Sequence, residues 1–187
     1  MMAPDLACKL LELLRDILPG LARVAVLWES GNPYTTIGFK ETEVAARTLG
    51  VEMQSLEVRS PDDFDRAFET AQQQHPDALV TVDGPLTLDH IKLIVDFAAA
   101  QRLPSVHGAR EFATAGGFLS YGTNIPDVLR RAAGYVDKIL RGAKPADLPV
   151  EQPTKFKLVL NLKTANAFGI GFPQSLILSA DEMIGGA

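Results

Sequence analysis

Four short stretches hold the side chains able to do chemistry. In "ESGNPYTT", Ser30, Asn32, Thr35 and Thr36 place three hydroxyls and an amide where a helix begins. The free backbone N–H groups of such a start favour an anion, so a small carboxylate would be well received there. The same residues suit plain capping, by Asn32 or Thr35, and one turn can do both. In "VDGPLT", Asp83 ends a β-rich run just before Gly84-Pro85. Its carboxylate could take an amine, a hydroxyl or a proton, or merely shape the turn through its own backbone. In "SVHGAREF", His107 with Arg110 and Glu111 suggests acid–base work, which needs a partner within hydrogen-bond reach. In "GGFLSYGTNIP", Tyr121 closes a strand beside Gly122 and could stack on a ligand or sit at the rim of the core.

Several chemistries are absent. There is no GxxxxGK[ST], no GxGxxG, no GxSxG and no HExxH, so neither a nucleotide loop, a serine nucleophile nor a metal site is expected. His75 precedes a proline at a helix end, and His90 falls within a helical run, on its exposed side. Cys8 is the sole cysteine, which excludes an internal disulfide, and it sits in the amphipathic run "LACKLLELL". The turns hold hydrogen-bonding groups but no coherent catalytic set, an inventory that fits binding better than turnover. No cofactor is implied.

These groups need elements to position them. Short β-rich runs alternate with segments of helical period. "RVAVLW", "VEMQSLEV", "DALVTVD", "LPSVHG", "FLSYG" and "FKLVLNL" read as strands. Between them run helices: one ending at Pro19-Gly20, one stopped by Gly50, one started by Ser60-Pro61, one across "LTLDHIKLIVDFAAAQR" and one across "IPDVLRRAAGYVDKILRG", which Thr123 or Asn124 caps. Strict alternation means an α/β fold with a mostly parallel sheet. Right-handed crossovers then bring the four turns to one sheet edge, where such folds bind ligands.

The 187 residues suit one lobe with a real core, with 47% hydrophobic and 22% charged residues. A net charge of -5 argues against nucleic acid. The densest basic group, Arg130, Arg131, Lys138, Arg141 and Lys144, sits towards a helix end, where cations suit the dipole. No apolar run is long enough to span a membrane, and Met1 to Gly20 lacks the apolar core of a signal peptide. If that start is genuine, a cytoplasmic protein is expected.

"RVAVLWESGNP", "PDALVTVDGPLT" and above all "DKILRGAKPADLPVEQPTKF" through "NLKTANAFG" resemble the substrate-binding proteins of ABC transporters of the tryptophan-binder type. The resemblance runs through almost the whole chain. It implies the type I periplasmic-binding-protein fold, in which two three-layer (α/β/α) lobes close on a solute that a membrane permease then receives. It also implies no catalysis and a periplasmic location. On that mapping residues 1–150 are the second lobe, and 151–187 are the connector, strand and tail returning toward the first. Ser30, Asn32, Thr35, Thr36, Asp83, His107 and Tyr121 become its half of a cleft for an amino-acid-like or carboxylate solute. A complete first lobe is not matched, so an exposed cleft face and a homodimer are expected. Two other readings stay open: a cytoplasmic ligand-sensing lobe, and a small α/β enzyme using Asp83 or His107.

Overall fold

The computed structural model describes residues 4–153 and 155–186. Met1, at the head of the stretch read for targeting, lies outside them. Helix α1 (Pro4–Ile17) precedes β1 (Arg23–Glu29), α2 (Pro33–Leu49), β2 (Glu52–Val58), α3 (Phe64–Gln74) and β3 (Ala78–Thr81). Then come α4 (Pro85–Asp89), α5 (Ile91–Ala100), β4 (Ser105–His107), α6 (Arg110–Ala115), β5 (Leu119–Thr123) and α7 (Ile125–Leu140). The chain closes with β6 (Phe156–Asn161), α8 (Leu162–Phe168), α9 (Gln174–Ser179) and β7 (Glu182–Ile184).

The seven strands form one sheet in the order β2-β1-β3-β4-β5-β6-β7. Strands β1 to β5 are parallel, and β6 runs antiparallel to β5. The α/β expectation holds, with the sheet mostly rather than wholly parallel. Both faces of the sheet are buried, which explains why β1 reads as an unbroken apolar run. Val24 and Val26 pack on the side of α1, α2, α8 and α9. Ala25 and Leu27 pack on the side of α3, α5 and α6. Phe64, Phe68 and Phe97 fill that second side, with Phe68 and Phe97 stacked at 4.1 Å.

Local signals set many boundaries. Asn32 caps α2, its Oδ1 accepting from the Tyr34 N–H at 3.0 Å, and Pro33 fills the first helical position. Gly50 ends α2 in the left-handed region, at φ 68°. Asn124 caps α7, accepting from the Asp127 N–H at 3.2 Å. The helix expected from Pro61 opens instead as a 3-10 turn, Pro61–Asp63. There the Asp63 carboxylate gathers the N–H groups of Arg59 and Ser60.

One expectation fails. The single helix across residues 86–102 is broken at His90, which has φ -116° and a ring nitrogen 2.8 Å from the Leu86 carbonyl. His90 is not on an exposed face, since its ring stacks on Phe64 at 5.0 Å. Packing on that buried phenylalanine outweighs helical continuity. The tail, read as the return toward a first lobe, starts from strands of this sheet. Its β6 and β7 extend the lobe's own sheet. What leaves the sheet is residues 125–153 and 155. Their two roots are joined by the Asn124 N–H and the Lys155 carbonyl at 3.0 Å.

Candidate binding site

The crossovers turn opposite ways on either side of β1 and β3, so a crevice opens between the carboxyl ends of these two strands. Glu29 closes β1 there. Its Oε2 accepts from the Leu86 N–H at 3.2 Å, tying the first turn to the start of α4. Gly84 lets the two turns close up, because a Cβ on it would lie 2.6 Å from the Thr35 methyl and 3.1 Å from Glu29 Oε2.

Asp83 follows β3 at this crevice. The residue is half-buried, and its Oδ1 is shut from solvent with no hydrogen-bond partner among the described residues. The other carboxyl oxygen lies against Gly108, where a Cβ would come within 2.5 Å of it. Burial pushes the Asp83 carboxyl up to about 7; the N–H groups of Gly108 and Ala109 oppose the shift, and the charge of Glu111 adds to it. Asp83 therefore shares a proton near neutral pH.

The other expected residues divide. Ser30 is turned toward β2, its hydroxyl accepting from Arg59 Nε at 3.1 Å. Thr35 is fully buried, and its hydroxyl is placed to donate to the Glu29 and Asn32 carbonyls. Thr36 bonds the Asn32 carbonyl at 3.0 Å. These threonines anchor the turn. Replacing Thr35 with valine is expected to cost about 1–2 kcal/mol in urea unfolding, and Asn32 with alanine about 1 kcal/mol. Tyr121 is half-buried and stacks on Phe156 at 5.7 Å, on the far side of β4 from Asp83.

His107 is no base. Its ring is fully buried and stacked on Phe112 at 4.1 Å, with its nitrogens 3.1 Å from Thr81 Oγ1 and 3.0 Å from Ser105 Oγ. Burial drives its pKa down to about 3, so the ring is neutral and fully engaged. A folded pKa below the unfolded value gives stability that is complete above about 6.5 and drains away as pH falls toward 3. Between pH 7 and 4 that loss is expected to reach about 3 kcal/mol, and His107→Gln should remove this component from the urea-unfolding profile.

Arg110 is also occupied. Its guanidinium grips Glu182, with Nε 2.9 Å from Oε2, and Lys157 joins at 2.8 Å. Hydrogen bonds from these two cations hold the Glu182 carboxyl down to about 2. Sequence reasoning missed Glu29 and Glu182. Glu29 could have been found as the last residue of a buried strand, whereas Glu182 carries no local signal. Among the described residues no group of three or more His, Cys, Asp and Glu is placed to hold a metal. None of their helices is long and apolar enough to cross a membrane.

The fold thus defines a doubly wound α/β lobe whose strand tips carry polar groups, with His107 locked away from chemistry. The family model described as ABC transporter substrate binding protein matches residues 5–184, and the chain belongs to that family, whose members hold substrates rather than convert them. No curated protein matches. Solved structures are similar in fold. An ABC domain from Streptococcus pneumoniae in complex with L-Trp superimposes with TM-score 0.85 at 23% identity, covering 95% of this chain and 62% of that one. A conserved domain protein from Vibrio cholerae gives 0.87 at 20%, covering 95% and 60%. A ligand-free, open substrate-binding protein with adhesive properties from Clostridium difficile gives 0.74 at 16%, covering 95% and 59%. The chain spans about three-fifths of the length of each.

Proposed function

We propose that this chain is a solute-binding lobe of an ABC uptake system, receiving a small amino-acid-like solute at the tips of β1, β3 and β4. Asp83 carries the reading. Its carboxyl sits half-buried at a switch-point crevice, where a solute's ammonium group would meet it with a charge-assisted hydrogen bond. The L-Trp bound by the Streptococcus structure has such a group beside a carboxylate. Asn32, at the neighbouring turn, would meet the solute's polar end, and Tyr121 lies further along the same edge. A membrane permease is the proposed recipient of the solute, and the periplasm the proposed location.

Binding is tested by thermal unfolding in the presence of amino acids, their decarboxylated amines and their deaminated acids. Ligands that favour the folded state raise the midpoint. Solutes with an amino group should shift it upward and deaminated acids should not. A panel in which nothing shifts the midpoint, or in which the acids alone do, overturns the reading.

A further inference from the structure

Helices α1 and α2 pack together over one face of the sheet, and beside them opens a cavity of about 390 Å³. Small-molecule sites have volumes of this order. Its wall is mostly apolar, with Cys8 from α1 and Ile37, Val44 and Ala45 from α2. Ile37 is 52% exposed and Val44 59%, so large apolar side chains are left in water there. None of these residues belongs to the crevice between β1 and β3.

Glu41 lines the same cavity. It lies four residues after Ile37 and three before Val44, so all three share one face of α2. The residue is half-buried, its Oε2 is shut from solvent, and its carboxyl has neither ion pair nor hydrogen bond among the described residues. Burial raises its pKa above the ordinary glutamate value. Nearby groups are engaged elsewhere or lie outward. Glu43 pairs with Arg47 at 3.6 Å, and the Cys8 thiol is 3.7 Å from Glu12 Oε1. Lys40 and Thr48 line the cavity from exposed positions.

Wall and carboxyl together select the guest. The apolar wall favours an apolar body, which would take Ile37 and Val44 out of water. A carboxylate set in such a wall and short of donors favours an ammonium group, whereas a second carboxylate would be repelled. A protein partner would bury roughly 800 Å² on each side, and the exposed charges of Lys40, Glu43 and Arg47 interrupt the apolar surface of α2. We propose that this cavity is a second binding site, for a small apolar molecule whose single ammonium group is received by Glu41. It stands apart from the strand tips and does not depend on Asp83.

The test titrates n-octylammonium into the isotope-labelled 187-residue chain at neutral pH and follows amide chemical shifts, with octanol and octanoate as matched guests. The same titrations are run on Asp83→Asn, which disables the strand-tip site. In both chains the amides of Cys8, Val44 and Ala45 should move, and octylammonium should bind at least about tenfold more tightly than either comparator. Glu41→Gln should cut that preference to about twofold or less while holding the melting midpoint within about 2 °C. Val44→Arg, at an exposed position, is an independent check. Its like charge should weaken octylammonium at least about fivefold, whether or not Glu41→Gln folds. Equal affinity for octylammonium and octanol overturns the assignment of the ammonium group. Amides of α1 and α2 that no guest moves overturn the site, as when the chain's own first residues cover it. Shifts confined to the strand tips and lost in Asp83→Asn also overturn it, and leave the proposed function standing. Shifts at α1 and α2 that persist in Asp83→Asn uphold this site even if the strand tips bind nothing.

Discussion

Asp83→Asn is expected to stabilise the chain at alkaline pH while weakening solute binding at least about tenfold. The stability half follows from linkage. The folded pKa of about 7 lies above the ordinary aspartate value, so the protonated form is favoured in the folded state. Stability from this group is complete below the unfolded pKa and is lost as pH rises through about 7. Asparagine carries no charge and keeps an oxygen to accept from Gly108 and Ala109. Its advantage over aspartate should therefore be larger at pH 8 than at pH 5, by about 2 kcal/mol in urea unfolding. The binding half follows because asparagine cannot form the charge-assisted contact to an ammonium, worth about 1.5–3 kcal/mol. A variant that loses stability at pH 8 would show that Asp83 is a structural anchor; unchanged affinity would remove it from the site.

The second large effect is expected at Gly122. A Cβ there would overlap the backbone carbonyl of Gly108, which has no side chain that could swing aside. Strand β5 or the turn after β4 must move, and overpacking of this kind costs about 3 kcal/mol. The same turn holds the N–H groups that face Asp83, so the damage should reach the site as well. Gly122→Ala is thus expected to lower both urea stability and solute affinity. Gly134→Ala, on α7 with open space around it, should do neither and serves as the control. Equal behaviour of the two variants would mean that β4 and β5 do not approach as closely as the fold requires.

Much of the architecture was legible because it is written in local patterns. Val24 to Leu27 are apolar on both faces, which marks a covered parallel strand. Gly50 ends its helix as read, and of the two cap candidates offered at each of two helix starts the structure uses Asn32 and Asn124. The candidate residues were legible only as positions. Thr35 and His107 do follow strands at the ligand edge, yet both are buried and bonded inward. A hydroxyl or imidazole looks the same in sequence whether it faces solvent or core. Helix α7 shows the converse: its apolar stripe has the spacing of a core helix, yet Leu129 is 65% exposed.

By itself, then, the sequence determined the order of the first six strands and most of the helices between them, several helix ends, and the gathering of four turns on one sheet edge. These follow from interactions within a few residues and from the handedness of crossovers. Only the tertiary structure decided that Asp83 sits near its protonation midpoint, that His107 is neutral, and that α7 stands uncovered. Burial of a charge or of an apolar face is a sum over atoms from distant segments. Those atoms come together only when the sheet is assembled.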